Sequence, residues 1–465
     1  MEQRDRGTDS SAVVVGGSSS GVGKTLVATA IMYHFRKRGF SVQPFKVGPD
    51  YIDPSYHQVV CNRQSYNLDV WMMGENGVIE KFCRASSGAD IAVIEGVMGV
   101  FDGISGKSDL GSTAHVARLL NAPVVLVVDA GRAGGSIAAL IYGFINFDKR
   151  LNVSGIVLNN VASRKHLKII RDTMSGKVDV PIVGVISRNS VLGLKERHLG
   201  LIPVLEVRSA KKKIMFSSQV VAKSISFKSL KNLTARKRSY TMPLCSVRHR
   251  EPVAKIAIAK DESFNFYYAD TVDSLEKNNA RVVYFSPVND NKLPDGTSGI
   301  ILGGGFPEIL ADKLEKNYHM KKAILQAAQQ GMPIYAECGG LMYLTKNIIV
   351  SKKGKKKKSK MVGLIEADTS MDSKLTLNYT EADNRSDFFK DIKKIRGHEF
   401  HYSQIIDIGK DSDFAYTLRR GNGIIDKKDG IVVYSCLASY MHLNFGGDDR
   451  LGRRIVELSK NYSRR

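Results

Sequence analysis

A buried strand that runs into a glycine-rich turn closed by lysine and threonine leaves a chain few alternatives. Residues 13–25 read VVVGGSSSGVGKT. Val13 to Val15 are β-branched and predict the end of a buried strand. Gly16, Gly17, Gly21 and Gly23 allow a loop whose backbone N–H groups all point inward. Lys24 and Thr25 then open a helix that runs through IMYHFRKR. Strand, loop and helix together form a phosphate cradle. Its N–H groups and helix dipole hold the anion, Lys24 neutralises β/γ charge, and Thr25 can ligate Mg²⁺. The expected phosphate contacts are Gly21, Val22, Gly23, Lys24 and Thr25. The strict pattern has glycine where this chain has Ser18, and the first loop glycine, Gly17, stands one residue early.

Short apolar runs alternate with helical patterns over the first 200 residues or so. Strands are expected at 41–45, 91–94, 123–128, 156–158 and 182–186, with helices between some of them, such as 113–120 and 137–145. This rhythm predicts a doubly wound α/β domain with a mostly parallel sheet. In such sheets the ligand lies beyond the carboxyl ends of the strands. Polar residues just after strands therefore carry weight: Lys46 and Asp50 in PFKVGPDYIDPSYH, Glu95 in VIEGVMGVFDG, and Asp129 after VVLVV. Mg²⁺ takes hard oxygen ligands, which Asp50 and Glu95 could supply beside Thr25. Lys46 could add positive charge at a γ-phosphate. Tyr51, Asp53 and His57 share the loop after Lys46 and are candidates to face an acceptor substrate.

The formal net charge of +23 raises the question of nucleic acid. Much of the excess is local. Residues 207–250 hold twelve Lys or Arg and no Asp or Glu, and SKKGKKKKSK at 351–360 adds seven lysines. Neither tract has aromatic interleaving or a nucleic-acid-binding pattern, so they read as a linker with some helix and a flexible hairpin tip. Attraction of a polyanionic small substrate comes second and nucleic acid third. The five scattered cysteines, without a CxxC pair, argue against a disulfide framework or a cysteine zinc site. No apolar run is long enough to span a bilayer and the N-terminus is not signal-like, so a soluble, cytoplasmic protein without membrane attachment is expected.

After the boundary near Glu251 the α/β rhythm returns, with strands expected at 255–259, 281–285, 299–302, 333–336 and 430–434 and helices at 311–329 and after Gly339. The division is therefore 1–206, a basic linker at 207–250, and 251–465. The second domain carries its own constellation. In IYAECGGLMYL a strand ends at Ala336, a sharp turn holds Cys338, and a helix follows. A cysteine at a helix N-terminus favours the nucleophilic thiolate. Backbone N–H groups near Gly339, and near Gly304 in LGGGFPE, could stabilise an oxyanion. His442 in LASYMHLNF is the expected general base and acid, with His398 and His401 in RGHEFHYS as competitors. Cysteine, glycine loop and late histidine suit acyl transfer from an amide. LKERHLGLIP at 194–203 closes the first domain, with Arg197 and His198 as equivocal ligands.

The motifs SSGVGKT, KVGPDYIDPSYH, NLDVWM, EGVMGVFDG, GSTAHVA, ERHLGL, DESFNFYY, GGGFPE, AECGGLMYL, GHEFHYS and ASYMHLNF extend over nearly the whole chain. In them the chain resembles the cobyrinic acid a,c-diamide synthase family. Its first domain is similar to dethiobiotin synthetase and the MinD-like ATPases, whose longer loop accounts for Ser18, and its second to class I glutamine amidotransferases. The resemblance implies that ATP with Mg²⁺ phosphorylates a carboxylate of a tetrapyrrole such as cobyrinic acid. L-Glutamine is hydrolysed through a Cys338 thioester, and the ammonia, passed internally, displaces phosphate to give the amide at acetates a and c. It leaves room for a homodimer. Nickel-sirohydrochlorin is an alternative acceptor, and a MinD-like regulatory ATPase with a relic second domain is the alternative of another class. Class I glutaminases usually carry glutamate two residues after the histidine, where this chain has Asn444, so the third member of the triad is open.

Overall fold

The computed structural model describes residues 8–188, 196–197, 200–201, 209–235, 238–240, 251–352, 355–409 and 411–464. They fall into two compact units, one ending at Cys245 and the other beginning at Ser246.

The first unit is built on seven strands: β1 (Ala12–Gly17), β2 (Val42–Val47), β3 (Tyr66–Leu68), β4 (Ile91–Glu95), β5 (Val124–Asp129), β6 (Val153–Val161) and β7 (Ile182–Ser187). They lie in the order β3-β2-β4-β1-β5-β6-β7, with every pairing parallel. Central strands covered on both faces have no place for polar side chains, and Val13, Val14 and Val15 are fully buried. Strands β4 and β5 flank β1, and the connection between them crosses over it. A crevice therefore opens at the carboxyl ends of these three strands. The helix α1 (Lys24–Arg36) leaves β1 there, and α2 (Asp53–Cys61) follows β2.

The basic tract 207–250 is not simply a linker. It contributes α3 (Ala210–Ala222) and α4 (Phe227–Leu233) to the first unit. Ile214, Ser217, Ser218, Val221 and Leu230 are buried, while Lys211, Lys212, Lys223 and Lys228 face out. Phe227 packs edge-on against Phe35, with ring centroids 5.3 Å apart, and Arg38 lies 4.2 Å above its ring. The charge count hid an amphipathic pattern: one apolar stripe suffices to dock a helix whose other face is cationic. The rest of the tract lies largely outside the described residues, as does most of LKERHLGLIP, including His198; Glu196–Arg197 pair with Gly200–Leu201.

The second unit centres on nine strands: β8 (Ala254–Ala259), β9 (Ala280–Phe285), β10 (Gly299–Leu302), β11 (Ile334–Glu337), β12 (Thr376–Asn384), β13 (Lys394–His401), β14 (Asp413–Arg420), β15 (Lys428–Val433) and β16 (Cys436–Ser439). Their order is β9-β8-β10-β11-β16-β15-β14-β12-β13. The five strands from β9 to β16 pair in parallel and the remainder antiparallel. The helix expected over 311–329 is interrupted at Asn317, whose side chain accepts from Met320 N–H and caps the second piece. The lysine-rich segment forms the expected hairpin, Thr345–Lys352 against Lys355–Lys360. Its strands run through the lysines themselves. Lys358 meets Asp368 at 2.7 Å and Lys357 pairs with Asp312, so part of that charge is matched within the unit. Among the described residues no helix is long and apolar enough to cross a membrane.

Candidate functional site

In the first unit the loop between β1 and α1 turns on Gly21 and Gly23, with φ of 75° and 96°. These are left-handed values that favour glycine. A Cβ at Gly23 would come within 2.5 Å of Asn159 Nδ2. That amide donates to the Val22 carbonyl at 2.9 Å, so the end of β6 pins the loop. Lys24 Nζ donates to Ser19 O at 2.9 Å. Burial, and then the charge of Lys46, lower the Lys24 ammonium to about 8. Backbone N–H groups at a glycine-rich turn that opens a helix, beside a lysine, fit an anion such as a phosphate.

Beside this loop, the ends of three strands, β1, β2 and β4, converge. Thr25 Oγ1 donates to Glu95 Oε1 at 2.7 Å. Lys46 Nζ lies 2.6 Å from Asp53 Oδ2, 3.1 Å from Glu95 Oε1 and 3.7 Å from Asp50 Oδ2, and also donates to Gly96 O at 3.0 Å. Asp50 Oδ1 accepts from the N–H groups of Ile52 and Asp53 at 2.8 and 3.0 Å, which fixes the start of α2. Burial works against the Lys46 charge, but Asp53, Glu95 and Asp50 outweigh it and hold the ammonium well above the lysine range. Burial would raise Glu95, but Lys46 and the hydrogen bonds from His57 and Thr25 hold it well below the carboxylate range. Asp53 is pushed well above its usual range by burial and by the charges of Asp50 and Glu95, in spite of Lys46. Three carboxyls around one ammonium leave surplus negative charge next to the Thr25 hydroxyl. That surplus fits a small divalent cation held by few protein oxygens, since phosphate and water complete a Mg²⁺ shell. No fuller cage of His, Cys, Asp and Glu exists among the described residues.

His57 corrects an expectation. Its ring is fully buried, with Nε2 2.6 Å from Glu95 Oε2 and Nδ1 3.1 Å from Ser65 Oγ. A side chain enclosed on both nitrogens does not face an acceptor; it holds the Glu95 carboxylate. Asp53 and Tyr51 keep partial exposure. Asp129 turns back on its own loop and accepts from Gly131 N–H at 2.7 Å.

In the second unit β11 and β16 are parallel neighbours, with Glu337 opposite Ser439. One strand therefore delivers Cys338 and the other His442 to the same sheet edge. Cys338 adopts φ 44° and ψ −96°, at the start of α5 (Gly339–Leu344). A non-glycine residue in that region costs about 1–3 kcal/mol and is held there only by its surroundings. Here Cys338 N–H donates to Ser439 O at 2.7 Å. The thiol donates to Phe400 O at 3.9 Å and interacts with the neighbouring His442 ring. Burial disfavours the imidazolium of His442, but hydrogen bonds and charge from Cys338 and Glu337 raise it to about 10. The Gly304 backbone packs on this ring, where a Cβ would stand 2.7 Å from Cε1. A Cβ on Gly339 would lie 3.1 Å from Gly305 N, so these glycine amides line one small space.

The competing histidines are otherwise engaged. His398 stacks on His442 with centroids 4.9 Å apart and meets the Tyr268 hydroxyl at 2.8 Å. Burial, then the neighbouring His442, hold it well below the usual histidine range. His401 stacks on Tyr440 at 3.7 Å with Nδ1 on Ser403 O at 2.7 Å, and burial lowers it to about 4. Asn444 does not reach His442: its Oδ1 accepts from Gly446 N–H at 2.8 Å and its Nδ2 is buried without a partner. The carboxylate at His442 is Glu337, with Oε2 3.1 Å from Nδ1. Its position directly before Cys338 gave only the appearance of a turn residue. The segment before the histidine hangs on Asp429, which accepts from the N–H groups of Tyr440 and Met441, each at 3.0 Å.

Residues 13–201 match the family model of the CobQ/CobB/MinD/ParA nucleotide binding domain, and residues 255–450 that of the CobB/CobQ-like glutamine amidotransferase domain. Relatives extend over nearly the full length. The cobyrinate a,c-diamide synthase of Methanosarcina acetivorans is 39% identical over 97% of this chain and 95% of its own. That of Caldanaerobacter subterraneus subsp. tengcongensis is 39% identical over 97% and 99%, and that of Synechococcus sp. 40% over 96% and 98%.

Proposed function

The chain belongs to the cobyrinate a,c-diamide synthase family, and from that premise we propose that it amidates the a and c acetates of cobyrinic acid, with glutamine as nitrogen donor and ATP as activating co-substrate. The observation that carries this reading is the presence, in one chain, of a phosphate cradle beside a carboxylate cluster and a strained cysteine beside a carboxylate-bound histidine.

In the first unit the N–H groups of residues 21–25 and Lys24 hold the triphosphate. Thr25 and Asp50 are the residues that would hold Mg²⁺, which when bound would supply neutralisation of the phosphate charge. Glu95 orients the Thr25 hydroxyl, and His57 in turn orients Glu95. Lys46 stands where charge shifts as the γ-phosphoryl moves. A substrate carboxylate oxygen attacks the γ-phosphorus, ADP leaves, and an acyl phosphate forms. Tyr51 and Asp53 are the residues we assign to the acceptor side. A carboxylate resists ammonia because its carbonyl carbon is electron-rich and its leaving group would be oxide; phosphate removes both obstacles.

In the second unit the Cys338 thiolate attacks the glutamine amide carbon. The oxyanion is received by the amides near Gly304 and at Gly339, and the His442 imidazolium gives its proton to the departing nitrogen. Water then hydrolyses the thioester and releases glutamate. The ammonia attacks the acyl phosphate, phosphate leaves, and the amide is formed. The compartment we assign is the cytoplasm, where ATP and glutamine are held.

A substrate panel tests the reading. The protein is incubated with ATP, Mg²⁺ and glutamine, and with cobyrinic acid, nickel-sirohydrochlorin or neither. Mass analysis should find two successive replacements of hydroxyl by amino on cobyrinic acid. ATP hydrolysis without amidation of any tetrapyrrole would instead support a regulatory ATPase.

A further inference from the structure

The glutaminase half poses a local problem. A histidine that alternately accepts and donates a proton needs a carboxylate to fix its tautomer and stabilise its charge. The residue two positions after His442 is an asparagine turned toward Gly446. The groups that meet the ring include Cys338, Glu337 and His398, with His401, Tyr268 and Tyr440 behind them. Among these the carboxylate is Glu337.

We propose that Glu337, the residue immediately before the nucleophile, is the positioning residue of His442 and takes the place of the acid that would otherwise follow the histidine. Three hydrogen bonds define its geometry. Oε2 takes the His442 Nδ1–H at 3.1 Å, and Oε1 accepts from the Leu443 N–H at 3.0 Å and the Tyr335 hydroxyl at 2.6 Å. A carboxylate can only accept, so the proton lies on Nδ1 and the other ring nitrogen faces the thiol. The side chain grips both the ring and the backbone that carries it, and its own strand pairs with the strand leading to the histidine. A one-residue offset explains how this is built. Successive residues of a strand point to opposite faces, so the residue before the elbow can lean toward the neighbouring strand while Cys338 turns up at its end. Tyr335, two residues back on the same face, completes the support.

The proposal rests on Cys338 and His442 as the glutaminase pair, and the test separates the two claims. Glu337→Gln keeps the shape and removes the charge. Three proteins are compared, the parent, E337Q and C338S, each with glutamine and with ammonium as nitrogen source. E337Q should lose on the order of 10²- to 10⁴-fold in glutamine-dependent kcat, with little change in KM, as orienting carboxylates do. Its ammonium-dependent rate should stay within about twofold of the parent, which also reports an intact fold. The alkaline limb of the glutamine profile should fall by about one pH unit or more, because a lost charge partner no longer holds the imidazolium. Alkylation of Cys338, followed on its own peptide, should slow at neutral pH. An E337Q protein with parental glutamine kinetics and pH profile would overturn the proposal, as would loss of both nitrogen sources together. If C338S itself still used glutamine, the glutaminase reading would fail first.

Discussion

Thr25 opens α1 just beyond β1, Glu95 ends β4, the strand paired beside β1, and the Thr25 hydroxyl donates to the Glu95 carboxylate at 2.7 Å. Their contact joins the phosphate-binding loop to the acidic cluster formed by the end of β4 and the loop after β2. Lys46 and His57 then take the remaining capacity of the same carboxylate. Glu95→Gln should therefore disturb three partners at once. We expect the ATP-dependent rate to fall on the order of 10²-fold with either glutamine or ammonium, because activation of the acceptor precedes nitrogen addition. Steady-state assays with both nitrogen sources check this; a loss confined to glutamine would be the wrong pattern.

Lys24 gives nucleotide binding a defined pH dependence. In the free protein its ammonium is lowered to about 8 by burial and by Lys46. A bound triphosphate favours the charged form and raises it again. Below about pH 7 the lysine is already charged and binding takes up no proton there. Above pH 8 affinity should decline as the free protein loses that proton. Calorimetry in buffers of different ionisation enthalpy should detect proton uptake at pH 8.5 and almost none at pH 6.5.

Gly23→Ala adds one methyl group at φ 96°, within 2.5 Å of Asn159 Nδ2. The backbone term alone costs about 1–2 kcal/mol, and the contact must also displace the amide that pins Val22. Nucleotide affinity should fall at least tenfold while glutamine hydrolysis persists. Binding titration alongside thermal unfolding separates the local effect from global loss of stability.

The helices of the basic tract make a prediction about stability. Ile214 is fully buried on α3. Ile214→Ala should destabilise the first unit by about 2–4 kcal/mol, as truncation of a core isoleucine does. A substitution in a solvated linker would change it by less than about 0.5 kcal/mol. Chemical denaturation of the full chain, followed by a probe in the first unit, distinguishes the two.

Much of this architecture was legible because it rests on periodicity and on glycine punctuation. The strands Val42–Val47, Ile91–Glu95 and Gly299–Leu302, and the two glycine-rich turns at Gly17 and Gly339, follow from local sequence alone. What the sequence concealed was orientation. His57 shares a loop with Asp50, yet its ring turns inward because Glu95 and Ser65 satisfy both nitrogens there. Glu337 is adjacent to the nucleophile, but its partner arrives from a strand paired only in the folded sheet. The antiparallel strands over 376–420 drew no expectation, since their mixed polar and apolar pattern packs only one face. In 210–233 a high charge density masked an apolar stripe. The misses at His57 and Glu337 concern contacts between residues apart in sequence, where spacing carries no information, whereas the one in 210–233 was a local pattern hidden by charge.

The most direct test of the whole account uses Cys338→Ser. The protein is supplied with cobyrinic acid, ATP and Mg²⁺, and with either ammonium or amide-labelled glutamine, and the diamide product is weighed. The account predicts diamide from ammonium at close to the parental rate and no labelled product from glutamine. Labelled diamide formed from glutamine by the serine variant would contradict it, because nitrogen would then be reaching the acyl phosphate without the thiol.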